Sequence, residues 1–146
     1  MKLTIGKVAT AIGEGRGFGT GDAYQPWTEI TRRPSSPCSN LNVARVPYLT
    51  RLTHFLSRAE RQFALYLWWL GAEDVREQYP LWPWRHLHPE AQLSPECTDR
   101  FHPGLKAVAA EAGVRLRSYP GTTTALVLTL DMMVTVPASV NAARLI

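Results

Sequence analysis

The chain has 146 residues, a hydrophobic fraction of 45% and a formal charge of +4, which suits one domain with a core of its own. Thirteen arginines stand against three lysines, Lys2, Lys7 and Lys106. Guanidinium forks match phosphate oxygens, so a polyanion partner fits, although GC-rich DNA gives the same surplus. Cys38 and Cys97 are far apart in polar, Pro-rich surroundings, which excludes a disulfide framework and points to a reducing compartment. Met1 to Gly6 lacks the apolar stretch of a signal peptide, and Phe63 to Leu70 is too short to cross a bilayer. The composition reads as a soluble, cytoplasmic protein.

In chain order, Ile5, Val8, Ala9 and Ile12 predict one face of a helix over residues 2–13. Glu14-Gly15-Arg16-Gly17-Phe18-Gly19-Thr20-Gly21 follows, with alternating glycines. No strand precedes its G-x-G pattern, so a dinucleotide fingerprint is not expected. Residues 31–42, rich in Pro and Ser, read as a loop, and residues 43–53 around Pro47 as including an edge strand. Ser57-Arg58-Ala59-Glu60 opens the clearest helix, which ends near Leu70 with Gly71 as its stop. Tyr66, Trp68 and Trp69 make its last two turns apolar almost all round, as in a buried helix or one that meets a partner.

A strand is predicted from Val75 to Leu81, an irregular stretch over 82–104, and an Ala-rich helix from Leu105 to Gly113. After a loop over 114–123 comes the most apolar run of the chain, Ala125 to Val136, read as a strand at least partly buried and ended by Pro137. Residues 138–146 form a second short run. The alternation of helices and strands implies an α/β or α+β domain.

Asp131 lies in the middle of that apolar run. A buried carboxylate there needs a cation, a metal or hydrogen-bond donors opposite it. If the strand alternates, however, Asp131 shares a face with Val127, Thr129, Met133 and Thr135, and that face can be half solvated.

Glu60 is the natural partner, with two readings of its own. Ser57-x-x-Glu60 is a capping box, in which Glu60 satisfies backbone amides at the helix start. Alternatively, a helix carboxylate aimed at a strand carboxylate makes a site for a hard divalent cation. Arg76, Glu77 and Gln78 are candidate supporting residues, although a solvated strand edge would explain them equally. His86, His88, Cys97 and His102 match no tight structural zinc spacing. Trp82-Pro83-Trp84 reads as packing beneath the loop rather than as a stacking platform for bases. Neither Ser57 nor Cys97 has the His/Asp company of a hydrolase nucleophile.

Four blocks resemble the TnsA-type transposon endonucleases in order and spacing. They are Glu14 to Trp27 (EGRGFGTGDAYQPW), His54 to Glu60 (HFLSRAE), Val75 to Leu81 (VREQYPL), and Ala112-Gly113-Val114 followed by Leu128-Thr129-Leu130-Asp131. The resemblance covers nearly the whole chain. It implies a restriction-endonuclease-like fold, a mixed sheet flanked by helices. Residues 1–53 would then be an N-terminal arm and loop, and 54–146 a catalytic core.

The resemblance also implies a function: metal-dependent cleavage of the 5′ strands at transposon ends, as the endonuclease subunit of a heteromeric cut-and-paste transposase. Glu60 and Asp131 would be catalytic and metal-binding, with Mg2+ as cofactor and Mn2+ able to substitute. Arg16 is a candidate DNA contact. The implied partners are transposon-end DNA, a TnsB-like transposase and a TnsC-like ATPase regulator.

The chain departs from the family pattern in several places. The family's third catalytic member, a lysine after the strand aspartate, has no counterpart. Ala142 to Ile146 aligns with the residues just before it, and Arg144 sits three places early. The family's C-terminal regulator-binding domain is likewise expected to be absent. Leu130 stands where the family has a small polar residue, and the 82–104 stretch is long. These departures motivate a second expectation, a catalytically incomplete remnant that binds DNA or the transposase without cutting. A third is a small soluble domain that uses its Trp68-Trp69 surface for protein contacts.

Overall fold

The computed structural model describes residues 5–30 and 42–137. The elements are α1 (Ile5–Gly13), β1 (Asn42–Arg45), β2 (Leu52–Phe55), α2 (Arg58–Trp69), β3 (Asp74–Leu81), β4 (His86–Leu87), β5 (Phe101–His102), α3 (Leu105–Glu111) and β6 (Leu128–Thr135). Tight helical turns lie at Gly21–Ala23, Pro89–Gln92 and Pro95–Cys97. The class is mixed α+β. Among the described residues the strands pair as β1–β2, β3–β6 and β4–β5, all antiparallel, rather than in the expected mixed sheet. No described helix is long and apolar enough to cross a membrane.

The expected helices appear, with residues 2–4 of the first outside the described residues and the second and third slightly shorter than expected. Leu70 closes α2, and Gly71 follows at φ +91°, the left-handed region where glycine avoids a side-chain clash. The edge strand expected within 43–53 appears as a hairpin of two strands, β1 and β2, both of them edges of a two-stranded sheet. Arg45 pairs with Leu52, and Pro47, which cannot donate to a ladder, sits in the connecting turn. Residues 31–41 and 138–146, with Cys38 and Arg144, lie outside the described residues.

Two apolar clusters hold the elements together. Val8 and Ala11 of α1 pack with Trp27, Trp82, Tyr119 and Val127. Trp82 is the centre of this group, stacked on Phe18 at 5.2 Å and met edge-on by Trp27 at 5.2 Å. The expectation that the Trp82-Pro83-Trp84 motif packs inward holds for Trp82, while Trp84 stays exposed. The second cluster joins Val46, Phe55, Ala64, Trp68 and Val75, with Met132 and Val134 of β6 against it. On α2, Trp68 is buried, whereas Phe63, Tyr66 and Trp69 are exposed.

Strand β3 is the axis of the molecule, and every residue from Asp74 to Pro80 is buried. One edge pairs with β6. The N-terminal arm covers it through three long-range bonds. The Gly21 amide donates to Asp74 Oδ1 (3.2 Å), the Tyr24 hydroxyl to the Glu77 carbonyl (3.0 Å), and the Trp27 amide to the Gln78 carbonyl (3.3 Å). The glycine-rich block therefore seals the central strand, and the aromatic residues after it fill the core.

Candidate active site

Glu60 realises the capping arrangement. Ser57 Oγ accepts from the Glu60 amide at 3.1 Å, and the Ser57 hydroxyl donates to Glu60 Oε1 at 3.0 Å. Glu60 Oε2 accepts from the Leu56 amide at 2.9 Å, one residue before the amide a standard capping box would use. The same Oε2 accepts from Gln78 Nε2 of β3 at 3.4 Å. The cap thus holds the carboxylate at the junction of α2 and the central strand.

Asp131 is exposed, which corrects the premise of a buried carboxylate in an apolar strand. Strand β6 is covered mainly along its second half, where Met132 and Val134 reach the core, while Leu128 and Leu130 remain exposed. Water therefore reaches the carboxylate, and no desolvation penalty demands a partner. Among the described residues no hydrogen bond or ion pair engages its side chain.

Gln78 reaches Glu60 from the central strand. Glu77 pairs with Met132 and Tyr79 with Leu130, and the register skips the position between them, where Gln78 and Asp131 fall. Gln78 is the only described non-glycine residue with positive φ, at +49°. Such a conformation costs about 1–3 kcal/mol and persists only where the surroundings impose it. Here the twist turns the Gln78 carbonyl to the Trp27 amide on the arm. The side chain is 1% exposed, and its Oε1 has no hydrogen-bond partner. A buried acceptor left in this way costs about 1–3 kcal/mol. The sequence named Gln78 only as a supporting residue. A left-handed, buried glutamine leaves no local sequence signal.

The other two candidate supporting residues are buried in ion pairs. Glu77 is not on a solvated edge: it is 1% exposed and meets the Arg51 guanidinium at 2.6 and 2.8 Å, while its Oε1 also accepts from the His54 amide at 3.2 Å. The edge was expected because the Arg51 partner lies 26 residues away in sequence. Arg76 is also buried, 3.3 Å from Asp74 Oδ2, and donates to the Pro89 carbonyl at 3.1 Å. Burial raises the Asp74 carboxyl above its usual range, with Arg76 opposing that rise. Arg16, the candidate DNA contact, is held by Glu14 at 3.1 Å and Glu29 at 2.9 Å.

The histidine-rich stretch forms a separate cluster. His86 and His102 face each other across β4–β5 with ring centroids 5.1 Å apart. His88, Glu90 and Cys97 bring one ligand-type atom each within 4.8 Å of one another, a grouping that the sequence spacing did not indicate because it omitted Glu90. Local bonds already account for it. The Glu90 amide donates to His88 Nδ1 at 3.3 Å, and the Cys97 thiol to Glu90 Oε2 at 3.7 Å.

No protein-family model matches the chain. It is similar to the transposon Tn7 transposition protein TnsA of Escherichia coli, with 38% identity over 78 residues, which is 53% of this chain and 28% of that protein. The chain thus spans little more than a quarter of the length over which that protein extends. On this shared stretch, the chain resembles TnsA.

Proposed function

We propose that this chain is the DNA-cleaving subunit of a cut-and-paste transposition system, with Glu60 and Asp131 as its metal-binding carboxylates in a restriction-endonuclease-like core. The observation that supports this reading is the bond from the central strand to Glu60. Gln78 of β3 bonds Glu60 at 3.4 Å, and β3 pairs with β6, the strand that bears Asp131. The similarity to TnsA supports the reaction class.

The donor set fits a hard divalent cation. Both ligands are carboxylates, and Asp131 is open to a hydrated ion. Glu60 and Asp131 would hold magnesium, with manganese able to replace it. When bound, the ion would supply Lewis-acid charge at the scissile phosphate and a more acidic water. The chain's own contribution is positional. The cap on α2 fixes Glu60, β6 presents Asp131 to solvent, and the arm locks the strand between them. Transposon-end DNA, a TnsB-like transposase and a TnsC-like regulator are the proposed partners.

A second reading, binding to DNA or the transposase without cutting, draws on the engagement of Glu60 in the cap. One assay separates the two. The chain is incubated with transposon-end DNA, a partner transposase and magnesium, and 5′-strand nicks are mapped. We expect nicking that is lost in Glu60→Ala and Asp131→Ala. Variants as active as the parent would sink the site assignment, and DNA binding without any nicking would favour the second reading.

A further inference from the structure

The strained, buried glutamine at the centre of β3 carries an inference that rests on the cation reading and deepens it. Three observations converge on Gln78. Its backbone is held at φ +49°, where glutamine is disfavoured and glycine is not. Its Nε2 donates to Glu60 Oε2 at 3.4 Å. Its Oε1 is buried and, among the described residues, has no hydrogen-bond partner. Exchanging the amide's oxygen and nitrogen would set Oε1 against the Glu60 carboxylate, so the chemistry of the pair fixes the orientation.

A purely structural glutamine would be expected to satisfy both ends of its amide. This one satisfies only the end that faces Glu60. Packing alone does not call for a polar, left-handed residue at this position, since glycine would relieve the backbone and remove the orphaned oxygen.

We propose that Gln78 is a positioning residue of the cation site. Its Nε2 fixes the Glu60 carboxylate that would hold the divalent ion. A donor that orients a ligating carboxylate contributes to metal affinity without touching the metal.

The test is a magnesium titration of the full 146-residue chain, followed by thermal melting with and without the ion. The parent is compared with Gln78→Gly, Gln78→Asn and Glu60→Gln. Glycine and asparagine both tolerate the left-handed backbone, and neither reaches Glu60 as glutamine does. Without magnesium, Gln78→Gly is expected to melt close to the parent. With it, the variant's affinity falls by roughly 10–100-fold, the usual effect of losing an outer-shell partner, and its metal-induced rise in Tm shrinks accordingly. If the glycine variant does not fold, the asparagine variant carries the same comparison.

Equal magnesium affinity in the parent and the Gln78 variants, with binding lost in Glu60→Gln, would overturn the role of Gln78 and leave the carboxylate site standing. A parent that binds no magnesium would overturn both. Gln78 variants that melt far below the parent in the absence of the ion, with unchanged affinity for it, would mark the residue as structural and likewise overturn the proposal.

Discussion

Arg51 and Glu77 form a two-pronged ion pair inside the molecule, at 2.6 and 2.8 Å, that ties the β1–β2 hairpin to the central strand. The guanidinium also donates to the Gly21 carbonyl at 2.9 Å and lies 5.3 Å from the centre of the Tyr24 ring. One arginine therefore fastens the arm, the hairpin and β3 together. Removing it leaves a buried carboxylate uncompensated, so Arg51→Met is expected to lose about 3–5 kcal/mol. Urea unfolding would show this as a lower midpoint, and pairing the change with Glu77→Met should restore part of the loss. A single variant as stable as the parent would contradict the role of this pair.

Gly17 explains why the glycine-rich block can seal β3. Its φ is +81°, and a Cβ there would collide with Pro80 and Trp82, the end of the central strand and the middle of the core. Gly17→Ala must therefore strain its own backbone and displace a packed aromatic. The expected loss is about 2–4 kcal/mol, with the strain and overpacking effects combined. A thermal melt within a degree or two of the parent would show that the arm is not clamped as described.

His54 gives the fold a pH dependence. Its Nδ1 accepts from the Ile30 amide at 3.0 Å, so the ring must be neutral at that nitrogen. Burial lowers its pKa below the usual histidine value, against an opposing pull from Glu77. The unfolded chain then takes up a proton more readily than the folded one. Stability from this group is complete above about pH 7 and declines as the pH falls through about 6.5 and towards the folded pKa. His86, lowered chiefly by burial, acts in the same direction. His54→Asn keeps an acceptor for Ile30 without a titrating ring, so its stability should change less between pH 7 and 5, on the order of a single-histidine difference. An identical pH slope in both proteins would rule His54 out as its source.

Local signals carried much of the fold. Ser57, Glu60 and Gly71 mark the two ends of α2 through capping chemistry that acts within a few residues. The apolar run around Asp131 did become a strand, but its composition could not tell which part another element would cover, and Asp131 proved exposed. Glu77 was misread as an edge residue for the same reason, since the arginine that neutralises it belongs to another element. The sequence around Pro47 signals an edge strand but not its pairing partner, which lies just across the turn that Pro47 occupies. At the candidate site, the two proposed carboxylates come from sequence blocks that resemble a known family. The strained glutamine that bonds Glu60 has no such signal, because its conformation is imposed by the arm and by β6 together.

The most direct test of the central claim is calorimetric titration of magnesium into the 146-residue chain and into the near-isosteric variants Glu60→Gln and Asp131→Asn. A cation held between the two carboxylates predicts saturable binding by the parent that weakens at least tenfold in either variant, with folding retained. Binding of equal strength in all three proteins, or none in the parent, would contradict it.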